Sequence, residues 1–134
     1  LPLSGKVFIS VKDEDKKDVV SVVKQMHEIG FEIIATSGTG KYLKENGIDA
    51  EFVYKVGEGR PDIVDKIKSG EIAMVINTSF GAKAVKDSFS IRRSALVYSV
   101  PYFTTISGAK AASLGIEALK KEGMDVQAIQ EYNS

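Results

Sequence analysis

The chain has no cysteine, which excludes disulfides, thiolate catalysis and cysteine-based zinc sites. Its one histidine, His27, excludes a metal centre built on several imidazoles. A Ser-His-Asp set would have to rest on this single ring in mid-helix. There is no excess charge, because 18 Lys and Arg balance 18 Asp and Glu. A neutral balance offers no field to nucleic acid or to an anionic membrane, so any anion site must come from local geometry. No apolar run approaches the about 20 residues of a membrane-spanning helix. The opening Leu1-Pro2-Leu3-Ser4-Gly5 lacks the basic start and long apolar region of a signal peptide, so a cytoplasmic location is expected. The first residue is not Met, which fits either a piece of a longer chain or a processed product.

The 134 residues suffice for one domain with a sheet-and-helix core. We expect a single domain over 1–134, with residues 1–4 as linker and 122–134 as a C-terminal tail. Strand and helix patterns alternate. Lys6 to Val11, Phe31 to Ala35, Glu51 to Tyr54, Ile72 to Ile76 and Pro101 to Thr105 read as strands. The Ile72 to Ile76 run is nearly continuous in apolar character, as in a central parallel strand buried on both faces. Between the strands, Val19, Val23 and Met26 mark an amphipathic helix that Gly30 ends. A short helix follows through Tyr42 and Leu43. Pro61 suits the first turn of a helix that carries Ile63, Val64 and Ile67. Two more helices cover Ala82 to Val97 and Ala109 to Lys121. The tail from Asp125 onward fits either a short strand or coil. Five β/α alternations predict a three-layer αβα fold around a five-stranded, mainly parallel sheet.

Ligands of such sheets bind beyond the carboxyl ends of the strands. That rule selects Ser10, Thr36 to Thr39, Lys55, Asn77 to Ser79 and Thr104 to Ser107. The loop Thr36-Ser37-Gly38-Thr39-Gly40 joins a strand to a helix. Its glycines let backbone N–H groups approach a phosphate, and the helix start adds free donors and a favourable dipole. The same residues equally suit an ordinary turn with a Ser or Thr cap. The loop is no Walker A motif, since Ala35 stands at the first glycine and Tyr42 follows Lys41. Lys16 and Lys55 would complete a dianion site if the strand order brings both beside the loop; singly, each reads as a surface lysine. Gly57-Glu58-Gly59-Arg60-Pro61-Asp62 lacks the third glycine of a dinucleotide fingerprint, and Asp62 reads as a helix-start acid. Asn77-Thr78-Ser79 offers an amide and two hydroxyls to a ribose or base edge, or else a helix cap. Arg92 and Arg93 read as structural ion-pair residues, and His27 as a packed or surface side chain.

Several stretches together carry a more specific signal: Gly5 to Val11, Gly30-Phe31-Glu32 through Gly38-Thr39, Lys55 to Pro61, Ile76-Asn77-Thr78 and Ile91-Arg92-Arg93-Ser94-Ala95. In these the chain resembles the methylglyoxal-synthase-like domain that ends the large chain of bacterial glutamine-dependent carbamoyl-phosphate synthases. The resemblance runs from Gly5 to about Leu119. It implies an allosteric domain without chemistry of its own and without a cofactor; ATP and Mg or Mn would serve the full enzyme. The implied ligand is a nucleotide monophosphate, UMP as inhibitor and in some bacteria IMP as activator. It would control carbamoyl phosphate synthesis for pyrimidine and arginine biosynthesis. Lys16, Thr36, Ser37, Gly38, Thr39 and Lys55 would hold the phosphate, and Ser10, Asn77, Thr78 and Ser79 the nucleoside. Ala82 and Lys83 stand where two basic residues are common, which leaves effector preference open. Tyr102 and Thr104 match ornithine-contacting positions in ornithine-activated members. Implied partners are the rest of the large chain, the glutaminase small chain and oligomer contacts, with no nucleic acid and no membrane. The alternative is a free-standing methylglyoxal synthase acting on dihydroxyacetone phosphate. That enzyme needs an aspartate base where Pro61 stands here, and proline cannot serve.

Overall fold

The structure, a computed structural model, describes residues 1–78 and 82–133; for 82–85 and 124–133 it describes the backbone alone. Strands β1 (Gly5–Val11), β2 (Phe31–Ala35), β3 (Glu51–Phe52), β4 (Ile72–Thr78) and β5 (Tyr102–Phe103) alternate with helices α1 (Asp13–Glu28), α2 (Ser37–Glu45), α3 (Ile63–Lys68), α4 (Ala82–Val97) and α5 (Ile106–Asn133). The strands form one sheet in the order β3-β2-β1-β4-β5, and every pairing is parallel. The expected three-layer αβα architecture is therefore present.

Period-two alternation sends successive side chains to opposite faces. Val7, Ile9, Ile33, Met74 and Ile76 pack with Val19, Val23 and Met26 of α1, Leu43 of α2 and Ile116 of α5. Phe8, Ile34 and Val75 pack on the other face with Ile63 and Ile67 of α3 and Ile91 of α4. β4 is buried along nearly its whole length, as its continuous apolar run requires. Its register against β1 shifts between Lys6 and Val7, which pair with Ile72 and Met74. Ala73 is the extra residue, so Ile72 and Val75 reach the same core although three positions apart. Gly5 lies against this bulge; a Cβ there would sit 2.7 Å from that of Ala73.

Four details depart from the sequence-based expectation. The two edge strands β3 and β5 are only two residues each; Tyr54 instead forms an isolated bridge with Asp62. Pro61 follows a cis peptide bond and precedes α3 rather than lying in its first turn. Asp62 is the N-cap: it accepts from the Asp65 N–H at 2.9 Å, and its own N–H donates to the Asp65 carboxylate at 2.9 Å. The chain beyond Asp125 is neither strand nor coil, because α5 runs on to Asn133.

Phe8 is central to one core, fully buried and registered between Ile34 and Val75. Phe8→Ala is expected to cost about 3–5 kcal/mol of folding stability, measurable by urea denaturation.

Candidate functional site

The strand order reverses direction between β1 and β4: the chain first moves outward to β2 and β3, then crosses back to β4 and β5. The carboxyl ends of strands at such a switch form the usual ligand crevice of an open α/β sheet. Here those ends carry polar side chains. Ser10 is in register with Asn77, and Thr36 follows Ala35, the partner of Ile9. One step past the apolar row Ile34–Phe8–Val75, the same sheet face therefore presents Thr36, Ser10 and Asn77. The Thr36 hydroxyl donates to that of Ser10 at 3.5 Å.

Thr36 is also the N-cap of α2, in extended conformation, and its side chain makes no capping bond. The Gly40 N–H is the first to bond back, to the Thr36 carbonyl. The N–H groups of Ser37, Gly38 and Thr39 thus belong to the turn whose donors have no carbonyl partner within the helix. Ser37 and Gly38 are exposed, while Thr36 and Thr39 are buried. The Thr39 hydroxyl oxygen accepts the Val11 N–H at 3.2 Å. This bond ties α2 to the end of β1 and leaves the Thr39 hydroxyl proton to be donated elsewhere.

Of the two lysines, the structure brings Lys16 to the loop. Lys16 lies in the first turn of α1, and Lys55 follows β3, the neighbour of β2 in the sheet. The Lys16 ammonium would lie 3.8 Å from a Cβ built on Gly38. It pairs with Asp13 at 2.7 Å, and this hydrogen bond lowers the Asp13 pKa below the usual carboxylate range. Lys55 is exposed. From sequence Asp13 reads only as an acid suited to a helix N-terminus; its i, i+3 spacing to Lys16 is the legible signature of the pair.

At the end of β4, the Thr78 hydroxyl and carbonyl both accept the Lys12 N–H, each at 3.0 Å, which holds the carboxyl ends of β1 and β4 together. The Asn77 amide donates to the Ser88 hydroxyl and to the Tyr102 hydroxyl, both at 2.9 Å. Burial raises the Tyr102 pKa, and the hydrogen bond from Asn77 and the nearby Arg92 charge only partly oppose it. The Arg92 guanidinium lies over the Tyr102 ring, 5.8 Å from its centroid. Sequence reading missed Ser88, which carries no local signal. Thr104 is exposed beyond β5. Ser79 lies outside the described residues, as do the side chains of Ala82 and Lys83. His27 is exposed in the last turn of α1.

Where the alternative enzyme would place its base, Pro61 is followed by an Asp62 carboxylate already engaged as a helix cap. Its partner Asp65 has its pKa lowered, first by the Asp62 N–H and further by Arg60. Among the described residues no group of three or more His, Asp or Glu could hold a metal ion, and no helix is long and apolar enough to cross a membrane.

The fold agrees with the comparisons. Residues 18–104 match the family model described as the MGS-like domain, and the chain belongs to that family. It is 54% identical over 132 residues to the carbamoyl phosphate synthase large chain of Myxococcus xanthus, covering 98% of this chain and 12% of that protein. It is 48% identical to the large chain's C-terminal section from Methanocaldococcus jannaschii, covering 100% of this chain and 22% of that protein. The corresponding section from Methanopyrus kandleri is 46% identical, with coverage of 99% and 25%. The chain thus spans from about an eighth to a quarter of the length of these relatives. Among solved structures, methylglyoxal synthase from Elizabethkingia anophelis NUHP1 superposes with a TM-score of 0.65 at 22% identity, over 85% of this chain and 78% of that one. At that identity the likeness concerns the fold alone.

The Thr39–Val11 bond supports the loop from beneath. Thr39→Val keeps the shape and strands a buried N–H, which should cost about 1–3 kcal/mol. Chemical denaturation should show the loss, and amide exchange at Val11 should accelerate.

Proposed function

We propose that this chain is a regulatory domain of a carbamoyl phosphate synthase large chain and that its crevice binds a nucleotide monophosphate. The observation that carries the proposal is the arrangement around the Thr36 loop. An uncapped helix start, two hydroxyls fixed by the fold and the Lys16 ammonium meet at the switch of strand order. Backbone N–H groups and a cation at a helix N-terminus favour a phosphate dianion. A chain with no net charge binds an anion through such local placement.

In this reading Lys16, Thr36, Ser37, Gly38, Thr39 and Lys55 hold the phosphate. Ser10, Asn77, Thr78 and Ser79 line the nucleoside part, and Tyr102 and Thr104 face ornithine where the neighbouring catalytic domain meets β5. UMP inhibits and IMP activates. The domain itself performs no chemistry and needs no cofactor; ATP and a divalent metal act elsewhere in the large chain. Its partners are the remainder of that chain, the glutaminase small chain and oligomer neighbours, in the cytoplasm, in the service of pyrimidine and arginine synthesis. The helix-capping role of Asp62 argues against a proton-abstracting lyase. Regulation then requires only that the nucleotide bind unequally to two states of the whole enzyme.

Asp13 holds Lys16 in its present rotamer, so a ligand phosphate competes with one exposed carboxylate. Exposed pairs are weak, and the exchange is readily reversible. Isothermal titration calorimetry should detect UMP or IMP binding to the chain. Thr36→Ala and Lys16→Ala should each weaken it by about tenfold, as expected for hydrogen bonds to a charged group. Absence of heat with either nucleotide at millimolar concentration would count against the proposal.

A further inference from the structure

Asn77 is buried at the end of β4, and its amide nitrogen points away from β1. An amide nitrogen has two N–H donors. Here one goes to Ser88 on α4 and the other to Tyr102 on β5, both at 2.9 Å. Ser88 and the Tyr102 hydroxyl thus both accept from one amide nitrogen, and the three side chains form a polar cluster centred on Asn77. The group is planar, and fixing the nitrogen between two partners fixes the carbonyl oxygen as well. We propose that Ser88 and Tyr102 are positioning residues for the nucleotide site. By occupying both N–H groups of Asn77 they leave its carbonyl oxygen to read a hydrogen-bond donor on the nucleoside, a ribose hydroxyl or a ring N–H.

The inference rests on the effector-binding assignment above and adds a selectivity rule to it. Phosphate recognition belongs to the Thr36 loop and Lys16. Recognition of the nucleoside depends on the far side of β4, through two residues that need not touch the ligand. Tyr102 suits the task, because its phenol hydroxyl can accept from Asn77 and Arg92 over its ring steadies it between α4 and β5. In the register of the sheet Asn77 lies beside Ser10, so its carbonyl adjoins the same crevice as the Thr36–Ser10 pair. The Tyr102 hydroxyl thereby has a task distinct from contact with ornithine.

The test compares two probes, UMP and inorganic phosphate, on the 134-residue chain. Their dissociation constants are measured by calorimetry for the wild type, Tyr102→Phe, Ser88→Ala, Asn77→Ala and the double variant Tyr102→Phe/Asn77→Ala. Tyr102→Phe and Ser88→Ala should each weaken UMP by about three- to tenfold and leave phosphate within about twofold. In the Asn77→Ala background, Tyr102→Phe should add nothing further. Unchanged UMP affinity in both single variants overturns the inference. So does a parallel loss of UMP and phosphate, which marks general loosening, and so does full additivity with Asn77→Ala. Ser88→Ala carries the comparison if Tyr102→Phe does not fold. A wild-type chain that binds neither probe defeats the effector-binding assignment itself and this inference with it, a result distinct from all the others.

Discussion

The candidate site depends on the double pairing of β1. This strand is hydrogen-bonded in parallel to β2 on one side and to β4 on the other, and the strand order reverses beside it. A slip of one residue in either ladder would turn every side chain of that strand to the opposite face. Buried rows on both faces resist such a slip: Phe8 between Ile34 and Val75 on one, Ile9 and Ile76 on the other. The hydrophobic register therefore sets the polar register. Ser10 and Thr36 meet, and Asn77 stands beside them, because the apolar residues two positions earlier pack as they do.

A neutral protein can in this way build a local preference for an anion. The donors at the start of α2 and the Lys16 ammonium supply it, while Asp13 pairs with Lys16. The Thr39 hydroxyl accepts from β1 and can still donate outward. The corresponding candidate for acid–base chemistry is already engaged: Asp62 closes a reciprocal cap with Asp65. This combination is what supports the proposal that the site senses a phosphorylated ligand rather than converting it.

Much of the fold was legible in the amino-acid sequence, because apolar periodicity marks the strands and helices that bury the most surface. The continuous run of β4 and the Val19, Val23, Met26 stripe of α1 are examples. The edge strands were overestimated: with neighbours on one side only, β3 and β5 pair over two residues each, whatever the β-propensity of their flanks. The tail was misread because Gly123 and a sparse apolar pattern conceal a helix that continues to Asn133. Pro61 fits a rule for helix starts, but the Asp62–Asp65 cap places the first helical residue two positions later, at Ile63. In the site, the Thr36 loop was visible as a local motif. The partners of Asn77 were not, because Ser88 and Tyr102 are 11 and 25 residues away and only the three-dimensional packing brings them together.

The central claim is that a nucleotide monophosphate occupies the carboxyl-end crevice with its phosphate on the Thr36 loop. The most direct measurement is a titration of the isotopically labelled chain with UMP, followed by amide chemical shifts. The account predicts the largest changes at Ser37, Gly38 and Thr39, with further changes at Ser10 and Asn77. It also predicts that inorganic phosphate reproduces the first set without the second. Shifts confined to another surface, or none at saturating nucleotide, would contradict it.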